Sequence, residues 1–172
     1  MKAFAIDPSF NGCGWALACD ETGIQSGVIR FPIYADRNGE KSPALRFRDF
    51  RLWLDSVLET NRPDIVIYEE NAVHGRGRER DALVGIKTRI LEMCAIHCVP
   101  TRGVYPVSLK KWAIGNGRAD KSEMKEMARR RFEHYDLNKD DGGDEADALM
   151  LLSLQLSGDN ILSKPRAKKK KS

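Results

Sequence analysis

The sequence predicts an α/β protein: a mixed five-stranded sheet with helices on both faces. Three observations carry this. The chain opens with three short strand-like runs parted by turn residues, which pair most simply as an antiparallel set. It then alternates helical and apolar strand patterns, the mark of parallel βα units. Finally, Ile65–Val66–Ile67–Tyr68 is apolar at every position, as a strand covered on both faces must be.

Taken in order, the first strand is Ala3–Phe4–Ala5–Ile6, ending on Asp7. Pro8 has no N–H to donate and is expected to stop the ladder. Ser9, Asn11, Gly12 and Gly14 supply a turn, and Trp15–Ala16–Leu17 begins the second strand. Gly23 to Ile33 reads as the third strand and Tyr34 to Ser42 as a polar loop. Apolar Leu45, Phe47, Phe50, Trp53, Leu54, Val57 and Leu58 recur at helical spacing, so 43–60 is a helix. Arg62–Pro63–Asp64 breaks it, and the buried strand 65–68 runs into Glu69–Glu70–Asn71. Residues 75–81, GRGRERD, form a glycine-punctuated basic loop. The helix over about 80–98 is apolar over more than one stripe, hence deeply buried or shared with a partner. Thr101 to Tyr105 is a short strand ended by Pro106, and Val107 to Ala113 a helical turn. The loop 114–119, IGNGRA, opens a basic helix over about 120–134. A glycine-rich stretch at 136–143 leads to a last helix from Asp144 to about Leu156.

A chain of 172 residues suits one domain, taken as 1–157, with a basic tail at 158–172 expected to be disordered. At 31% charged and 41% hydrophobic residues the composition is that of a soluble protein. No apolar run approaches the roughly 20 residues that a membrane helix needs. The N-terminus has no signal-peptide pattern. Cys13, Cys19, Cys94 and Cys98 have the spacing of neither a zinc ribbon nor a disulfide framework, and a reducing cytoplasm is their simplest home. The formal net charge is +4, but the last fifteen residues hold six bases and one acid, which leaves the body at −1. Nucleic-acid binding must therefore come from local clusters and from the tail, where Lys168 to Lys171 suit weak, salt-sensitive attraction.

Two strands end on acids, Asp7 and Glu69, at the sheet edge where open α/β folds place their chemistry. Side chains alternate along a strand, so only one of Glu69 and Glu70 can face the same way as Asp7. In the last helix Asp144 and Asp147 are three apart and share a face. Capping explains Asp144 well. It explains Asp147 less well, because Asp147 leads into Ala148–Leu149–Met150–Leu151–Leu152 and a carboxylate entering a core needs a cation or a proton. Divalent metal resolves the conflict: Asp7, Glu69, Asp144 and Asp147 offer oxygen ligands and charge for two Mg²⁺, with Mn²⁺ as a substitute. Two such ions can hold a phosphodiester for in-line hydrolysis.

At these residues the chain resembles the RuvC-type Holliday-junction resolvases of the RNase H-like superfamily, over nearly all of 2–156. The matching pieces are AIDPSFNGCGWAL, PDIVIYEEN, VSLKKWAIGNGRADKSEM and GDEADALML. The third is the most telling, for its K-x-x-(apolar)-x-G-x-G-x-A-x-K pattern. The resemblance implies an RNase H-like fold, metal-binding acids at Asp7, Glu69, Asp144 and Asp147, and lysines flanking the active site at Lys110 and Lys121. It implies a Mg²⁺-dependent endonuclease that nicks a four-way DNA junction in pairs, as a homodimer through the helix at about 80–98. Arg76, Arg78, Arg80 and Arg118 are further candidate DNA contacts. One departure is that the family places an aromatic residue just after the catalytic Glu, whereas Ala72–Val73–His74 has none. Two other readings stay open: a broader nuclease of forks, flaps and Y-structures, and a junction-binding module without catalysis. Neither a membrane nor a small-molecule substrate is expected.

Overall fold

Alternation along β1 (Ala3–Pro8) decides the layering of the molecule. Ala3 and Ala5 face one side of the sheet, Phe4 and Ile6 the other, and all four are buried. The computed structural model describes residues 1–9, 12–20, 23–32, 34–35, 39, 41–70, 78–133 and 143–159, with the backbone alone at 41–43 and 78–79. The expectations for Asn11, Ala72–Val73–His74, Arg76, residues 136–142 and the tail from 160 onward lie outside these.

The sheet has five strands in the order β3 (Gly23–Ile29), β2 (Cys13–Cys19), β1, β6 (Ile65–Glu69), β7 (Thr101–Val104). β1, β2 and β3 pair antiparallel, while β6 and β7 continue parallel from β1. β1 does not stop before Pro8: it pairs as far as Pro8 opposite Cys13. Two-residue strands β4 (Tyr34–Ala35) and β5 (Lys41–Ser42) pair within the stretch expected as a plain loop, and β3 ends at Ile29 instead of Ile33. Elements this short carry no readable period.

On the Phe4 side lie α1 (Pro43–Asn61) and α2 (Arg78–Ile96), closing a core of Ile6, Leu17, Phe50, Leu54, Leu58, Ile86, Ile90 and Met93. On the Ala3 side lie α3 (Pro106–Ile114), α4 (Lys121–Arg131) and α5 (Asp144–Ser157). That side of the sheet is paved with Ala3, Ala5, Ala16 and Ala18, so α5 lies close against it. Its Ala146, Ala148, Leu149, Met150, Leu151, Leu152 and Leu154 are buried. The run 107–113, expected as a single turn, is part of a nine-residue helix with Pro106 at its start and Gly115 in the left-handed region (φ 86°) at its end. Past α5, Asp159 is held: its carboxylate accepts from Trp112 Nε1 at 2.7 Å and its carbonyl from Arg102 at 2.8 Å. No described helix is long and apolar enough to cross a membrane.

Candidate active site

The parallel register of β1 and β6 sets Ile6 beside Tyr68, so Asp7 and Glu69 follow one step on at the strand ends. By alternation both point to the α5 side, as Ala5 and Ile67 do. Across the antiparallel pair Asp7 lies opposite Gly14. Gly14 is where α5 lands: a Cβ added there would stand 1.9 Å from the carbonyl oxygen of Asp144 and 2.2 Å from its carbonyl carbon. Only a residue without a side chain lets the helix backbone reach the sheet at this point. The start of α5, with Asp144 and Asp147 in its first turn, is thereby set over Asp7.

Asp144 does not cap α5. The cap residue is Gly143, in the left-handed region (φ 76°), which has no side chain with which to cap the helix. Asp144 is the first helical residue, and its carboxylate is engaged elsewhere. Ser9 Oγ stands 3.0 Å from Asp144 Oδ2, and Ser9 is itself fixed by the Gly12 N–H, which donates to Oγ at 3.2 Å. Glu145 is turned away to β3, accepting from Ser26 Oγ at 2.6 Å.

Asp7, Asp144 and Asp147 are all buried, and Glu69 is half-buried. Burial, then repulsion from Glu69, Asp147 and Asp144, holds the Asp7 pKa well above the usual carboxylate range, against a smaller opposing pull from Lys121. Burial and the Asp147 charge push Glu69 up to about 8, though Lys110 and Lys121 work the other way. Among the described residues no three His, Cys, Asp or Glu side chains are closed onto one point in ligand geometry.

Two lysines enter from the neighbouring helices. Lys121 opens α4, where a capping box fixes the first turn: Asp120 Oδ1 accepts from the Glu123 N–H at 2.9 Å and Glu123 Oε2 from the Asp120 N–H at 2.8 Å. A cation at the positive end of a helix is unfavourable locally, but here Lys121 Nζ lies 3.7 Å from Asp144 Oδ1. Lys110, half-buried on α3, lowers the Glu69 pKa. The structure thus brings together Asp7, Glu69, Asp144, Asp147, Lys110 and Lys121. Arg80 and Arg118 are exposed, and no hydrogen bond or ion pair joins either to the carboxylates among the described residues. The Arg78 side chain and the whole of Arg76 lie outside these.

Three residues at the site have roles that the sequence does not mark. Ser9 and Gly14 look there like turn formers only, because their partner Asp144 is far along the chain. Glu70 faces the opposite layer, where its carboxylate accepts from Lys87 Nζ of α2. The Tyr68 hydroxyl bonds the same carboxylate, and burial with that charge pushes Tyr68 to about 12.

No family model matches the chain. The crossover junction endodeoxyribonuclease RuvC of Nitratidesulfovibrio vulgaris is 30% identical over 130 residues, spanning 72% of this chain and 73% of that one. The RuvC of Caldanaerobacter subterraneus is 24% identical over 167 residues, 95% and 97% of the two chains. Among solved structures, Thermus thermophilus RuvC matches with a TM-score of 0.68 at 18% identity, over 92% of this chain and 97% of that one. The same protein in complex with a Holliday junction substrate gives 0.69 at 17%, with the same coverage. The structural likeness bears out the expected RNase H-like fold. With the relative at 30% identity, the chain belongs to the RuvC family of crossover junction endodeoxyribonucleases.

Proposed function

We propose that this chain is an endonuclease that resolves Holliday junctions, using Asp7, Glu69, Asp144 and Asp147 as its metal-binding acids. The observation that carries the reading is the convergence of these four acids, with Lys110 and Lys121, at the end of the central strands. Family membership supports the substrate class. The donor set fits Mg²⁺ or Mn²⁺: every ligand is a hard carboxylate oxygen, and a divalent ion would offset both the burial and the mutual repulsion that lift Asp7 and Glu69. Bound ions would supply an activated water for attack on phosphorus and positive charge for the leaving oxygen.

The chain's own residues do the rest. Ser9 steers the Asp144 carboxylate, and the first turn of α5 presents Asp147 beside it. Lys121, exposed over the carboxylates, draws a phosphate towards a centre that would otherwise repel it. Lys110 serves the Glu69 side in the same way, and the arginines at 76, 78, 80 and 118 extend the contact to the DNA backbone. Two active sites suit a substrate with two equivalent strands. The second copy would dock on α2, whose Val84, Leu91 and Ile96 are exposed opposite its buried face. This activity belongs in the cytoplasm of a bacterial or phage-infected cell.

The test is nicking of a labelled, immobile four-way junction in Mg²⁺, wild type beside Asp7→Asn, with linear duplex as control. Paired symmetric nicks confined to the junction, lost in Asp7→Asn while junction binding survives, are expected. Equal cutting of Y-forms and junctions would favour the broader branched-DNA nuclease. Binding without cleavage by the wild type, in Mg²⁺ and in Mn²⁺, would overturn the nuclease reading.

A further inference from the structure

Two glutamates stand side by side at the end of β6, and only one belongs with Asp7. Alternation turns Glu69 towards α5 and Glu70 towards α2, but a strand's last residues have few neighbours to hold them to that choice. The described contacts of Glu70 supply the hold. Its carboxylate, mostly buried, pairs with Lys87 Nζ of α2. Its backbone N–H donates to the Val104 carbonyl at 2.7 Å, extending the β6–β7 ladder by one residue. The floor of the pocket is Gly103, where an added Cβ would stand 2.5 Å from Glu70 Oε2 and 3.1 Å from the Tyr68 hydroxyl oxygen. So the backbone, a cation and a side-chain-free neighbour all fix one residue next to Glu69.

We propose that Lys87 is a positioning residue: by holding Glu70 in the α1–α2 layer, it keeps the second carboxylate out of the cluster and fixes the strand end from which Glu69 reaches it. This rests on the endonuclease reading only for its effect on cleavage. The physical logic is charge sorting. An unpaired carboxylate in a half-buried place seeks solvent or a cation. The nearest cations on the far side of β6 are those that serve Glu69, so a released Glu70 competes for them.

The experiment compares wild type, Lys87→Met, Glu70→Gln and the double variant, by junction-cleavage kinetics in Mg²⁺ and by hydrogen exchange of the Glu70 amide in metal-free protein. Lys87→Met is expected to lose about tenfold or more in kcat while KM for the junction stays within about twofold, the pattern of a displaced reacting group. Its Glu70 amide should exchange faster. The double variant, with no charge left to sort, should recover to within about threefold of wild type. Lys87→Gln removes the charge while keeping a polar stem, and should give the same kcat loss, which keeps the test open if Lys87→Met does not fold. Wild-type kcat and amide protection in Lys87→Met, or a double variant as slow as the single, overturns the proposal. Should the wild type cleave nothing, the endonuclease reading falls and the exchange measurement alone decides the pairing.

Discussion

The Glu69 proton is retained far beyond the pH at which a carboxylate lets go, and this has a sign that can be measured. In metal-free protein Glu69 titrates at about 8, against an ordinary 4.5. Between those values the folded chain holds a proton that the unfolded chain has released. The contribution to stability is therefore complete below about pH 4.5 and is lost as pH rises through about 8, with Asp7 adding in the same direction. In chelator, thermal unfolding should show falling stability from about pH 5 to pH 8, and Mn²⁺ or Mg²⁺ should reverse the fall at the upper end. Asp7→Asn removes a buried carboxylate whose ionisation is opposed first by burial, so it should raise metal-free stability towards pH 8 while abolishing cleavage. A variant that is less stable than wild type under these conditions would refute the electrostatic account. At this scale the sequence is informative where chemistry repeats locally. Strand alternation by itself separates Glu69 from Glu70. Ser9 and Lys87 carry no such signal, because their partners Asp144 and Glu70 are set by tertiary packing.

Among the elements, α5 has the least freedom. Its carbonyl at Asp144 occupies the place where a side chain at Gly14 would be, and the obstacle is backbone, which cannot rotate aside. Gly14→Ala should therefore lift the start of α5, destabilise the fold by about 3 kcal/mol, and cost cleavage more than a loss of stability alone explains. Chemical denaturation, beside cleavage at a temperature where the variant is still folded, checks both parts. Long elements are legible in the sequence: α1, α2 and α5 stand out by apolar spacing, and β6 by its unbroken apolar run. α3 reads too short because only Leu109 and Ala113 of its nine residues are buried, too few to show a period. The β4–β5 pairing has two residues per strand, and its register is a matter of tertiary geometry.

At the scale of the whole molecule, the two faces of the sheet divide the labour. The α3–α4–α5 face carries the acids and lysines, and the α1–α2 face ends in an apolar surface. On α2 the buried row Ala82, Ile86, Ile90, Met93 is backed by exposed Val84 and Leu91, so the double apolar stripe of the sequence is real but only half of it is covered within one chain. If the proposed dimer forms through α2, Leu91→Glu should leave the fold intact and yield monomers in sedimentation, with paired nicking of the junction replaced by single nicks. An unchanged dimer would move the interface elsewhere. The landing of α5 on Gly14 also bears on when the nuclease first becomes active. Asp144 is translated more than a hundred residues after Asp7, at roughly 5–20 residues per second. A nascent chain can pair β1 with β2 early, but it has no complete set of acids until α5 emerges from the ribosome and docks. On the proposed assignment, a translation product that stops before α5 lacks Asp144 and Asp147, two of the four acids, and should not cleave.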